Sequence, residues 1–168
     1  MLSETPPMIR PTTPDDTAAL LALADATAVF KPHELEALDE VLADYHAANH
    51  AYGHAATTAL DDAGEVVGFA YLAPAAMTDR TWELWWLAVE PRHHGRGYGR
   101  RLLEFAEDHV RRAAGRLLLI ETSDTPVYLP TRGFYLKAGY TQAAVVADFY
   151  ADGDGKVVYA KRVAPVVA

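Results

Sequence analysis

"RHHGRGYGRRLL", residues 92–103, sets three glycines and four arginines into twelve positions with no acidic residue. Before it lies "TWELWWLAV" (81–89), largely apolar on both faces, as a strand central in a sheet reads. After it, residues 97–114 carry Leu102, Leu103, Ala106, Val110 and Ala113 on one helical face, and Gly115 is where that helix should stop. "RLLLIET" (116–122) then reads as a buried strand. Residues 81–122 are therefore expected to form strand, glycine turn, helix, strand.

The first N–H groups of a helix have no partner inside it and carry partial positive charge. Glycines at that point let a ligand come close to the backbone. Acidic residues usually occupy a first turn, and here Arg100 and Arg101 stand instead. That misfit predicts an anion opposite the turn, most simply a phosphate. The chain as a whole is acidic, at −8, so the residues outside this cationic spot carry −12. Such a balance argues against a nucleic-acid binder that uses its whole surface. It suits one small anionic ligand. Two phosphate motifs are absent. No Gly-Lys-Ser/Thr triplet exists for a nucleotide-hydrolase loop. The dinucleotide fingerprint wants a small residue where Arg100 stands.

The rest of the chain gives the frame. Its 168 residues, 51% hydrophobic, are enough for one domain with a sizeable core. Residues 1–7 are polar, proline-rich and expected to fray, which leaves 8–168 as a single domain. No cysteine is present, so there is neither a disulfide framework nor a thiol nucleophile. No apolar run nears the ~20 residues of a membrane span. "MLSETPPMIRPT" lacks the plan of a signal peptide, so a cytoplasmic protein with no membrane partner is expected. Helices are expected over 15–28 and 32–48, the second with Leu35, Leu38, Val41, Leu42 and Tyr45 as its apolar stripe. Strands 54–60 and 65–75 flank "DDAG" as a hairpin. A short helix near 131–138 ends at Gly139. A last hairpin pairs 141–150 with 156–162 across "ADGDG".

Arg92, Gly95 and Gly97 spell Arg-x-x-Gly-x-Gly behind "LAVEP", and "GFYLKAGY" (133–140) follows in the expected order. Together these resemble the acetyl-CoA signature and late helix of the GNAT superfamily of N-acetyltransferases. The resemblance implies an α/β fold, a mixed and mostly antiparallel sheet of about six to seven strands flanked by about four helices. It implies acetyl-CoA as cosubstrate, with no metal. Backbone N–H groups from Arg92, His93, His94, Gly95, Arg96 and Gly97 would hold the pyrophosphate, and Tyr98, Gly99 and Arg100 at the helix start are also expected among the cofactor-binding residues. The side chains of Arg96, Arg100 and Arg101 would either reach the phosphates or stay solvated. The backbone of Leu87, Ala88 and Val89 would pair with the pantetheine amides, as an added strand does.

Acetyl transfer to an amine needs a base for the amine, a donor for the oxyanion and an acid for the leaving thiolate. No Ser/His/Asp set is evident, so direct attack is the simpler course. By resemblance Tyr135 is the acid; read from the residues alone, it is a packed aromatic on an amphipathic helix. Glu83 stands six residues before Val89 and shares a strand face with Trp85, Leu87 and Val89. It is either the base or a strand-edge carboxylate reaching solvent. Asp124, Glu121 or water are the reserve bases. A backbone N–H near Leu87–Val89 is expected to meet the oxyanion. His93 and His94 point apart, with no acid or cysteine to complete a metal set, and read as loop residues. His50 and His54 are separated by the helix breaker Gly53. Trp82, Trp85 and Trp86 read as core, with Trp85 also placed to line an acceptor pocket. Tyr150, Asp152 and Asp154 sit at the last hairpin's tip.

The leading function is thus an N-acetyltransferase acting on a small-molecule primary amine, with a homodimer admitted by the resemblance. A non-catalytic acyl-CoA-binding module and a protein lysine or N-terminal acetyltransferase are the competing classes.

Overall fold

The computed structural model describes residues 7–163; of the expected frayed stretch 1–7, all but Pro7 lie outside the described residues. The strands are β1 (Met8–Pro11), β2 (Ala55–Leu60), β3 (Val66–Pro74), β4 (Thr81–Val89), β5 (Leu117–Ser123), β6 (Thr141–Ala151) and β7 (Asp154–Arg162). The helices are α1 (Thr17–Ala26), α2 (Pro32–Ala47), α3 (Tyr98–Arg112) and α4 (Leu129–Lys137). The sheet runs β1-β2-β3-β4-β5-β7-β6. Its β4–β5 ladder is parallel, while β1–β2, β2–β3, β5–β7 and β7–β6 are antiparallel. This is the expected α/β architecture. Among the described residues no helix is long and apolar enough to cross a membrane.

Two compact units divide the chain, one of Met1–Leu72 with Trp86–Ala106, the other of Ala73–Trp85 with Glu107–Ala168. In the first, Leu20, Leu23 and Ala24 of α1 and Leu38 and Leu42 of α2 bury against Phe69 and Ala88. Each fully buried leucine contributes about 2 kcal/mol. α2 buries its stripe unevenly, with Leu35, Val41 and Tyr45 only half-buried. β1 is a strand the sequence pattern does not announce. It is four residues long, ends in Pro11 and occupies the sheet edge, where proline is tolerated. A fork from Arg10 holds Asp16 at 2.7 and 2.8 Å beside the Thr13 N–H. The Arg10 hydrogen bonds bring the Asp16 carboxyl down to about 2. Asp16 lies in a 3-10 turn, Pro14–Asp16, so α1 begins at Thr17 rather than at residue 15. Gly68 of β3 lets α3 come close, since a Cβ there would stand 3.0 Å from a Leu102 methyl and 3.1 Å from the Ala88 carbonyl.

In the second unit β7 lies between β5 and β6, with Leu117–Ser123 in register against Arg162–Lys156. The end of α3 corrects two expectations. The left-handed residue is Ala114, at φ +58°, not Gly115. The Gly115 N–H closes the helix on the Val110 carbonyl at 2.8 Å. Gly115 is glycine for a different reason, because a Cβ would press into Val110 and Trp82. Ala113, expected on the buried face, is exposed, and Glu107 is buried in the second unit. α4 does end where expected, at Gly139 with φ +92°.

Candidate active site

Between β4 and α3 the backbone turns over Gly95 at φ +76° and Gly97 at φ +83°. Such left-handed positions favour glycine, and alternating handedness points successive N–H groups into one concavity. A Cβ on either glycine would meet nothing within 4 Å, so the turn faces open space. Three N–H groups of the expected grip are already committed inside the chain. That of Arg92 goes to the Glu90 carboxylate (3.1 Å), that of His93 to the Glu90 carbonyl (2.9 Å) and that of His94 to the Pro91 carbonyl (3.2 Å). The cause is a 3-10 turn at Pro91–His93, capped by Glu90. The first helical bond of α3 runs from the Arg101 N–H to the Gly97 carbonyl. The N–H groups of Gly95, Arg96, Gly97, Gly99 and Arg100 have no acceptor among the described residues. The open donors therefore lie later than the expected run from Arg92, against the start of α3.

The arginines differ in their ties. Arg92 Nε bonds the Glu90 carboxylate at 2.9 Å, the main cause that holds Glu90 below the ordinary glutamate range. Arg100 and Arg101 both meet Glu104, at 2.9 and 3.3 Å, and stay exposed. Arg96 has no ion pair or hydrogen bond among the described residues. Acids do stand beside His93, contrary to expectation: Glu90 at 2.7 Å and Asp61 at 3.6 Å. Asp61 comes from the β2–β3 turn, a long-range neighbour that local spacing does not reveal. No group of three or more His, Cys, Asp or Glu fit to hold a metal occurs among the described residues. His94 Nε2 lies 2.7 Å from the Val89 carbonyl. His50 and His54 are used apart, on the Tyr45 carbonyl and the Tyr71 hydroxyl.

β4 keeps its parallel partner over Thr81–Leu84. Further along, Ala88 is buried while Leu87 and Val89 are half-buried. Glu83 is half-buried and accepts a 3.2 Å hydrogen bond from the indole of Trp85, two residues on and on the same face. Trp85 is exposed, not core.

Tyr135 is buried on α4, with its ring against Phe134, Tyr140 and Tyr159. Burial pushes its phenol well above the usual tyrosine range. Its hydroxyl has no hydrogen-bond partner among the described residues. Tyr140, five residues later, donates to Glu107 at 3.0 Å. Glu107 also receives Lys161 at 3.0 and 3.1 Å and Arg111 at 3.3 Å, and Lys161 reaches the Ala138 carbonyl at 2.9 Å. Sequence reasoning passed over Glu107, although its place between Leu103 and Val110 on the buried stripe is a signal. The reserve bases have structural work. Asp124 accepts the Gly155 N–H at 2.8 Å, and Glu121 pairs with Lys156 at 3.4 Å. At the last hairpin Asp154 is buried and accepts from Ser123, while Tyr150 and Asp152 are exposed.

Residues 19–140 match the Acetyltransferase (GNAT) family. The chain belongs to that family. It is accordingly an N-acetyltransferase. A GNAT protein from Desulfovibrio desulfuricans is 34% identical, with a TM-score of 0.89 over 94% of this chain and 99% of that one. The ribosomal-protein-S18-alanine N-acetyltransferase of Escherichia coli superposes with a TM-score of 0.77 at 16% identity, over 96% of each chain. An aminoglycoside 6'-N-acetyltransferase, solved with coenzyme A, gives 0.72 at 21% identity, over 96% of this chain and 99% of its own. These two share the GNAT fold. A search of curated proteins gives no match.

Proposed function

We propose that this GNAT chain moves an acetyl group from acetyl-CoA, its donor substrate, to a small primary amine by direct attack in a ternary complex. The observation that carries the reading is the set of five open N–H groups at Gly95, Arg96, Gly97, Gly99 and Arg100. They lie at the positive end of α3, where a Cβ on Gly95 or Gly97 would meet nothing within 4 Å, and a pyrophosphate would suit them. Arg96, with no ion pair or hydrogen bond among the described residues, would join them. Leu87–Val89 would lend their backbone to the pantetheine, and an N–H there would stabilise the oxyanion.

Glu83, oriented by the Trp85 indole, would take the amine's proton directly or through water. Tyr135, whose hydroxyl is committed to no neighbour, would protonate the departing thiolate. Without cysteine, no acyl-thioester on the enzyme intervenes. The reading takes both compact units as one enzyme working in the cytoplasm, where acetyl-CoA is at hand. Outside the 92–101 turn the chain is acidic, which favours cationic acceptors.

A thiol-release assay with acetyl-CoA and a panel of amines tests this. Release with at least one small amine is expected. Tight CoA binding with no release for any amine would instead make the chain a non-catalytic acyl-CoA-binding module. Acetyl mass shifts on lysate proteins, with small amines inert, would make it a protein acetyltransferase.

A further inference from the structure

Glu90 stands immediately before the 3-10 turn Pro91–His93, and its backbone N–H is fixed to the Val67 carbonyl of β3 at 2.8 Å. Its carboxylate receives three donors: the Arg92 N–H at 3.1 Å, Arg92 Nε at 2.9 Å and His93 Nδ1 at 2.7 Å. A carboxylate only accepts, so Nδ1 is the ring nitrogen that donates. The Glu90 side chain is 16% exposed, so these bonds are made largely out of water. Val67, Glu90 and the whole turn that follows belong to one compact unit.

The start of a helical turn leaves N–H groups without partners, and a side-chain oxygen just before it satisfies one. Serine, threonine, aspartate or asparagine normally serves. A serine at this position would cap the Arg92 N–H without setting a negative charge close to a site for anions. The longer glutamate adds what serine could not, because it also fastens the Arg92 and His93 side chains. The residues that lead into Gly95 are thereby held by backbone and side chain alike. Beyond them the N–H groups of Gly95, Arg96, Gly97, Gly99 and Arg100 stay open among the described residues. We infer that Glu90 is a positioning residue for CoA: it serves as the chain's own anion in the first part of the turn, uses up the donors there, and so sets the ligand's phosphates in register on Gly95–Arg100. The inference rests on the acetyl-CoA reading above and puts Glu90 in contact with no ligand atom.

Two effects of Glu90 on a bound anion oppose each other. Its charge repels the anion. Its bonds hold the segment that presents the open donors. Removing the carboxylate should tighten binding if charge alone mattered, and weaken it if positioning does. The sign of the change separates the two.

Calorimetry with CoA compares wild type, Glu90→Ala and Glu90→Gln, each well below its melting temperature. Glu90→Ala frees Arg92 and His93, and re-ordering about one residue on binding should lower affinity about tenfold. In Glu90→Gln the amide oxygen can still accept the Arg92 N–H and His93 Nδ1, so affinity should return to within about twofold of wild type. Unchanged or raised affinity in Glu90→Ala overturns the inference even if its Tm falls, because Glu90 would then serve the fold alone. A glutamine variant as weak as the alanine one also overturns it, since the charge and not the acceptor would then matter. Wild type supplies a second arm whether or not Glu90→Ala folds. In amide hydrogen exchange, CoA should slow Gly95, Arg96 and Gly97 and leave Arg92, already bonded to Glu90, unmoved. Protection gained at Arg92, or none gained at Gly95–Gly97, overturns the inference. Failure of wild type to bind CoA at all would sink the acetyl-CoA reading itself, which unchanged affinity in Glu90→Ala would leave standing.

Discussion

At its first turn α3 exposes Arg100 and Arg101, whose ion-pair partner is a Glu104 that is itself 40% exposed; in its later turns it buries Glu107 under Lys161, Tyr140 and Arg111. The second arrangement is closed. A carboxylate taken out of water costs several kcal/mol unless donors from the same chain surround it, and here they do. The first arrangement is open, with loosely paired cations beside N–H groups that have no acceptor among the described residues. One end of the helix holds its own chain together, and the other is left open, as the proposed anion site requires. Whether a charged cluster is structural or functional can thus be judged from whether the chain itself completes it.

The sharpest test of that distinction uses two tyrosines in one aromatic cluster. The Tyr140 hydroxyl is given to Glu107, while that of Tyr135 is given to no described residue. Tyr135→Phe should leave the melting temperature unchanged and lower kcat by ~10²-fold, with a nearly constant KM for acetyl-CoA. The lower end of the general-acid range applies because a CoA thiolate can leave as the anion. Burial raises the Tyr135 phenol, so its proton is retained across neutral pH. Activity that depends on it should be lost only as pH rises through that raised value. Tyr140→Phe should do the reverse, removing about 1.5–3 kcal/mol of stability with kcat within about twofold. Steady-state kinetics and thermal melts of both variants decide. If Tyr135→Phe keeps its kcat within about twofold, worth ~0.4 kcal/mol, Tyr135 only packs.

At the closed end, Glu107→Gln keeps the shape and removes the charge that Lys161 and Arg111 face. Breaking a buried pair from one side costs about 3–5 kcal/mol, and in a chain of this size that lowers Tm by roughly 10 °C. CoA affinity, measured by calorimetry on folded protein, should not move. A Tm loss under about 2 °C, well below one kcal/mol, would show that the closed end is not holding the helix.

The open end should answer to a different assay. Gly97→Asp puts a side chain and a negative charge in the turn proposed to receive the anion. Its backbone at φ +83° adds strain of about 1 kcal/mol, visible as a small drop in Tm. CoA affinity should fall at least tenfold, ~1.4 kcal/mol. Unchanged affinity in the folded variant would remove this turn from the binding site.

Much of this was legible before the fold. The order β4, glycine turn, α3, β5 follows from apolar periodicity, which is a local signal, and so does the end of α4 at Gly139. What the sequence hid is long-range or packing-driven. β1 is too short for periodicity to show and is pinned by the Arg10–Asp16 pair instead. Asp61 reaches His93 only because the β2–β3 turn is brought to the end of β4. Glu107 reads as a surface charge until Lys161 and Tyr140 arrive from other elements. The 3-10 turn at Pro91–His93 consumes N–H groups that a motif reading had offered to the ligand.

The smallest expected effect is the most specific to the comparison, because it repeats the Glu107 substitution three residues earlier. Glu104→Gln removes a carboxylate that holds Arg100 at 2.9 Å and Arg101 at 3.3 Å. Exposed pairs at this helical spacing are worth about 0.3–0.5 kcal/mol, so stability should change by no more than that. The arginines, relieved of their local partner, should face the anion with more of their charge. CoA affinity should rise by about twofold, the factor that 0.4 kcal/mol represents. Because all three side chains are solvated, the gain should shrink as ionic strength rises and the Debye length falls below about 8 Å. Calorimetry in low and high salt reads both quantities from one pair of proteins. Loss of affinity, or a gain that salt leaves untouched, would mean that Glu104 orients the arginines for the phosphates rather than competing with them. The open end would then be partly preassembled, as the closed end is, and the contrast between the two ends of α3 would be one of degree.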